Sequence, residues 1–199
     1  MQSLRIVDTL EYGGKGLNLT WEVRDGILGH TGTEPPTTFE GQIVRVADRI
    51  AYVNHDIDDA IRASVLSEDD LPSGPVEVLG AYHGARITTM VNDMISNSAA
   101  TGSIGMSEPV WEAMMELRAF LFENVYFSAR AKAEEPKASA VVSALFEHYL
   151  ANPIELPPRE RPSDASQIVQ AVLDYVAGMT DRYAIREFER LFVPKKWLL

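Results

Sequence analysis

The most regular pattern in the chain runs from Thr37 to Ser64, TTFEGQIVRVADRIAYVNHDIDDAIRAS. Wound at about 100° per residue, Ile43, Val46, Ile50, Val53, Ile57 and Ile61 gather on one side, and Asp48, Tyr52, His55, Asp56 and Asp59 on the other. The pattern predicts a long helix with one core face and one polar face. Pro35 and Pro36 stop the chain just ahead of it. Thr37 and Glu40 then have the spacing of a capping box, hydroxyl to amide and carboxylate back to amide. Between Gly41 and Ser67 there is neither Lys nor Glu, the residues that usually coat a solvated helix face. A stripe of Asp, Tyr, His and Asp flanked only by Arg reads as the wall of a cleft, with a plain solvent face as the alternative.

The rest of the chain also carries helical periods. Leu4, Ile6, Val7 and Leu10 predict a helix over Gln2–Tyr12 with nothing to cap its start, as at the end of a longer helix. Gly13, Gly14 and Gly16 form a turn, read as a helix stop and not a phosphate loop because no strand precedes it. Asn18 or Thr20 caps a helix over Trp21–Leu28 that ends at Gly29 and His30, and a loop leads from Gly32 to Pro36. SEDDLPSGP predicts a solvated connection, and Val76–Ser98 one or two helices loosened at Gly80 and Gly84. Ala99–Gly105 is a loop tip. Ser107 caps a helix with Pro109 in its first turn, whose apolar side runs through Trp111, Met114, Met115, Leu117, Leu121 and Phe122. Ala138–Leu150 is a further helix, NPIELPPRERP a Pro-rich connection, and Ser163–Gly178 with Thr180–Phe192 a final pair. Strand-type alternation and repeats are lacking, so the expected fold is an all-α multi-helix bundle.

Composition narrows the chemistry. With 199 residues, 46% of them hydrophobic, the chain is long enough for a sizeable core. No stretch reaches the roughly 18 apolar residues of a membrane span, and MQSLRIVDTLE lacks the basic-then-apolar order of a signal peptide, so a cytoplasmic, non-membrane protein is expected. The absence of Cys leaves His and carboxylates as the only metal donors. A net charge of −11 argues against an extensive nucleic-acid surface, although local Arg residues or a metal could still hold a phosphate ligand.

RVADRIAYVNHDIDDAIRA resembles the metal-ligand helix of the HD-domain deoxynucleoside triphosphate triphosphohydrolases, the dGTPase-like family, with Asp48, Tyr52 and Asp56 at four-residue steps. GLNLTWEVRDGILGH, LRAFLFENVY and DYVAGMTDRYA also resemble that family in the expected order, so the likeness covers essentially the whole chain. It implies an HD-domain-like bundle in which residues 1–66 are the C-terminal part of the metal-binding core. Residues 67–199 would form a helical region contributing phosphate and sugar contacts, continuous with that core. By resemblance, Asp48 is a ligand to a divalent metal, Mg or Mn. Tyr52 would pack against the deoxyribose and Asp56 accept from its 3′-hydroxyl, while Arg118 and Tyr126 serve the triphosphate and the sugar. Arg49, beside Asp48, is a second phosphate candidate.

Read from the residues alone, each of these has a plainer alternative. Asp48 could pair with Arg45 or Arg49, Tyr52 and Asp56 could brace neighbouring helices, and Arg118 could pair with Glu112 or Glu116. The dipeptide His55-Asp56 does not match the family's metal-binding His-Asp pair. His30, His83 and His148 are scattered and read as structural. The family's His, His-Asp pair and catalytic His and Glu match nothing in this chain, so Met1 is expected to mark a truncation and no catalytic acid or base is assigned. The expected function is part of a metal-dependent enzyme cutting a dNTP into deoxynucleoside and triphosphate, inactive as this piece and homo-oligomeric when full length. The alternative is a non-catalytic module holding an effector nucleotide or neighbouring subunits.

Overall fold

The computed structural model describes residues 2–127, 129–162 and 164–195, and the fold is all-α. The chain forms two compact units, Met1–Phe127 and Ser128–Leu199.

The first unit opens with α1 (Gln2–Arg5), a wider π turn over Ile6–Leu10, and the short α2 (Glu11–Gly14). The predicted regular helix is thus interrupted. Tyr12 and Gly13 turn left-handed (φ 58° and 66°), and the chain folds back so that the Leu17 amide donates to the Val7 carbonyl at 2.7 Å. α3 (Trp21–Gly29) follows, tied to this turn by Arg24, which donates to both carboxylate oxygens of Asp8 at 2.7–3.2 Å.

α4 (Phe39–Arg62) is the predicted long helix, entered one residue later than the capping-box pattern indicates. Thr38 is its cap, accepting from the Gly41 amide at 3.1 Å. Thr37 instead donates its amide and hydroxyl to Asp25 of α3 at 2.7 and 2.8 Å, so a tertiary carboxylate has won over the local cap. Gly41 marks the crossing with α3, since a Cβ there would lie 3.2 Å from the Gly26 Cα and 2.6 Å from the Pro36 side chain. Ile43, in the following turn, is left 40% exposed, outside the core face it was expected to join.

Val46, Ile50, Val53 and Ile57 do form the core, with Leu79 of α5 (Ser73–Leu79), Met90 and Met94 of α6 (His83–Thr101), and Met114, Leu117 and Leu121 of α7 (Glu108–Leu121). The segment expected to be a solvated connection is partly ordered. Ser67 and Asp70 cap one another around a 3₁₀ turn, and Ser73, Gly74 and Pro75 begin α5. The break between α5 and α6 falls at Gly80, whose φ of 108° excludes other residues; a Cβ there would also meet that of Ala85 at 2.6 Å. The start of α6 is pinned to α4 by Arg86, 2% exposed, which donates to Asn54 Oδ1 and the Ala81 carbonyl, both at 2.9 Å. α6 runs on into the predicted loop tip as far as Thr101 and stops at a left-handed Gly102. Ser107 precedes α7 at the cap position, but its hydroxyl and amide go to Asp93, each at 2.7 Å.

In the second unit α8 (Ala129–Ala151) is longer than expected and continues through Pro136. From Lys132 to Ala140 it is exposed, and Lys132–Glu135 and Lys137–Glu134 pairs support it there. The Pro-rich connection holds two 3₁₀ turns, Pro153–Glu155 and Pro158–Glu160. The final pair is α9 (Ile168–Ala177) and α10 (Asp181–Phe192), the latter capped by Thr180; Ser163, its expected start, lies outside the described residues. Leu145, Tyr149, Leu156 and Val172 form this unit's core. Among the described residues no helix is long and apolar enough to cross a membrane.

Candidate functional site

Along α4 the polar stripe survives folding. Asp48 is exposed, and Arg49, Tyr52 and Asp56 are half-buried. The core contacts of Met114, Leu117 and Leu121 lay α7 along the same helix, which carries Arg118 to Tyr52. Arg118 Nε donates to the Tyr52 hydroxyl at 2.8 Å. Beyond α7 the chain widens into a π turn, Phe122–Tyr126, and the Tyr126 hydroxyl donates to the Asp56 carboxylate. Two tethers one turn apart on α4 therefore join it to the α7 strip.

The electrostatics divide this face into two ends. Burial pushes the Arg49 guanidinium below its ordinary value, and the positive charges of Arg45 and Arg118 push it further, with Asp48 acting the other way. Cations that repel one another with partial burial make a place where an anion is welcome. Arg49 lies over the Trp111 ring, 5.3 Å from its centroid, and Arg118 over the Phe122 ring at 4.7 Å. At the other end, burial and then the Asp56 carboxylate hold the Tyr126 phenol far above its usual range, so it stays a donor.

Several of the plainer pairings are not made. Arg118 bonds Tyr52 and not Glu112 or Glu116. Arg45 is committed to the carbonyls of Gly29, Gly32 and Glu34 at 2.6–2.7 Å, fixing the loop before α4. Tyr52 and Asp56 do brace α4 against its neighbour, as the plainer alternative has it. His55 and Asp56, adjacent in sequence, part company: His55 stacks on His83 with centroids 5.8 Å apart, while Asp56 meets Tyr126. His83 Nδ1 lies 2.7 Å from Asp58, and Asp59 pairs with Arg62. His30 and His148 bind the Ile27 carbonyl and Glu155 respectively. Among the described residues no three His, Asp or Glu side chains come together as metal donors.

Trp111, read from the sequence as an apolar core position, packs against the core and also lies under Arg49, whereas Phe122, read in the same way, lies against Arg118. The recurrence of Arg118, Phe122 and Tyr126 at four-residue steps was the available signal. A cleft of 610 Å³ opens between α3 and α4, lined by Val23, Ile27 and Val44 among others, and Val44 stands one turn before Asp48 on the same stripe.

Residues 104–190, which include Arg118 and Tyr126, match the family model described as a phosphohydrolase-associated domain. That segment is therefore similar to a domain associated with phosphohydrolases. The chain is 50% identical to a deoxyguanosinetriphosphate triphosphohydrolase-like protein of Caldanaerobacter subterraneus over 98% of its own length and 58% of that relative's. It is 44% identical to one of Clostridium perfringens (98% and 60%) and 34% identical to one of Bordetella pertussis (96% and 64%). The chain belongs to this dGTPase-like family, and spans about three fifths of the length of the curated relatives it matches.

Proposed function

We propose that this chain is part of a metal-dependent dNTP triphosphohydrolase, releasing a deoxynucleoside and inorganic triphosphate. The observation that carries the reading is the pairing of Arg118 with Tyr52 and of Tyr126 with Asp56, which sets a cationic end beside a hydroxyl-and-carboxylate end on one face. Arg49 and Arg118 bind the phosphates, the planar fork of Arg suiting their oxygens. Tyr52 packs against the deoxyribose, Tyr126 lines it, and Asp56 accepts from the 3′-hydroxyl, sharing its oxygens with the Tyr126 phenol. The relatives' printed names support a nucleoside triphosphate as substrate.

The metal fits these residues only in part. Asp48 offers one exposed carboxylate on the stripe, and a divalent ion needs several donors, which the described residues do not gather. The work of these residues is therefore binding and orientation. The same observation favours, as a second reading for this chain alone, a nucleotide-binding module without chemistry of its own.

Calorimetric titration of the chain with dGTP, deoxyguanosine and tripolyphosphate tests the binding. dGTP should bind more tightly than either part, and Arg118→Ala should weaken dGTP and tripolyphosphate together. Failure of all three ligands to bind would remove the reading.

A further inference from the structure

We infer that Phe122 is the positioning residue of this site, a single ring that aims both the phosphate-binding guanidinium and the sugar-side hydroxyl. The inference rests on the assignment of Arg118 and Tyr126 to triphosphate and sugar. The Phe122 ring lies under the Arg118 guanidinium at 4.7 Å and meets the Tyr126 ring nearly at right angles, 81° with centroids 5.0 Å apart. Both neighbours are long side chains whose far atoms are already engaged, Arg118 Nε by Tyr52 and the Tyr126 hydroxyl by Asp56. Phe122 supplies a second point of contact for each, and two points fix a direction where one leaves a swivel.

The backbone is built for this. In a regular α-helix residues four apart drift round the axis by about 40° per step, so Arg118, Phe122 and Tyr126 would fan out. From Phe122 the chain takes a π turn, closed by the Phe127 amide on the Phe122 carbonyl at 3.1 Å. Such wide turns recur at functional sites, and this one sets Tyr126 against both Phe122 and Asp56. Core packing does not explain the ring. Phe120, Val125 and Tyr126 pack against the core of the first unit, whereas the ring contacts of Phe122 are Arg118, Tyr126 and the exposed Phe127.

The role separates from simple filling of space by comparing Phe122→Leu, which keeps apolar bulk, with Phe122→Tyr, which keeps the ring. Tripolyphosphate and deoxyguanosine affinities are measured separately by calorimetry, with the melting temperature as the control for folding. Phe122→Leu should lower both affinities about fivefold, the size of a lost exposed cation–π contact, and Phe122→Tyr should restore both to within about twofold. A ligand-free readout runs beside it. The Arg118 Nε–H resonance in ¹⁵N NMR, shielded by the ring face, should move in Phe122→Leu and return in Phe122→Tyr. If the wild-type chain binds neither ligand, the functional reading fails, and the resonance alone decides the geometry. A resonance unmoved in Phe122→Leu, or affinities equal to wild type in that variant, would overturn the inference.

Discussion

Arg118 and Tyr52, sixty-six residues apart in sequence, meet through one hydrogen bond of 2.8 Å. Among the described residues the remaining guanidinium nitrogens meet no charged partner, and the group lies over Phe122. Arg118→Ala is therefore expected to weaken tripolyphosphate and dNTP binding by about ten- to a hundredfold, the range of a charge-assisted contact. Deoxynucleoside affinity should change far less. Equal losses for nucleotide and nucleoside would point to disruption of α7, which a fall in helicity would confirm.

Asp56 is bonded to Tyr126 rather than to a cation, so its carboxylate remains an acceptor for a further hydroxyl. Asp56→Ala should penalise binding of nucleotides with a 3′-hydroxyl by about 1–3 kcal/mol and leave 3′-deoxy analogues almost unaffected. Comparing dGTP with its 3′-deoxy analogue in competition assays makes the measurement. A shared penalty would mean that Asp56 acts only by holding Tyr126.

Much of this was legible in the sequence, and the limits follow from how each signal arises. The core of α4 at Val46, Ile50, Val53 and Ile57 follows from helical period alone, and the break at Gly80 from the glycine itself, while Gly84, read as a second loosening point, lies inside α6. Local rules failed where a distant partner competed: Thr37 and Ser107 were read as caps, yet their hydroxyls go to Asp25 and Asp93, which no local pattern announces. Ile43 carried the right period and is nonetheless exposed, since period alone does not say how far along α4 the neighbouring helices reach. In the candidate site, the four-residue stripe on α4 was visible, but the partners of Tyr52 and Asp56 were not. Spacing showed that Arg118 and Tyr126 lie near one another on one strip. It did not show the π turn or the ring between them, because aromatic periodicity reads the same in a core and beneath an arginine.

The second unit depends on a buried carboxylate. Tyr149 donates to Glu187 at 2.5 Å and Arg190 to the same side chain at 2.7 Å, and these bonds, Arg190 foremost, hold the Glu187 carboxyl below its ordinary value of 4.5. A depressed folded-state value means that its stabilisation is full above about pH 4.5 and is lost as pH falls through the depressed value. Glu187→Gln should lower stability at pH 7 by about 1–3 kcal/mol and flatten the acid limb of the stability curve. Denaturant unfolding between pH 3 and 7, followed by tyrosine absorbance from Tyr149 and Tyr175, reads this out. An unchanged acid limb would place the acid sensitivity elsewhere.

The chain by itself is expected to bind nucleotide and not to hydrolyse it. Hydrolysis of the kind proposed needs a divalent ion held by several donors at about 2.0–2.6 Å, with positions left open for water and phosphate oxygen. Asp48 is the one candidate donor on the stripe, and the acidic groups that follow it along α4 are already engaged: Asp56 with Tyr126, Asp58 with His83, Asp59 with Arg62. His55 faces His83, and the remaining histidines are bound within their own segments. Incubation of the purified chain with dNTPs and Mg²⁺ or Mn²⁺, followed by an assay for inorganic triphosphate, should give no release above the protein-free control, while calorimetry detects binding. Sustained turnover that disappears in Asp48→Ala would show that the chain completes a metal shell around Asp48 after all, with donors brought in by a rearrangement of α4 and its neighbours.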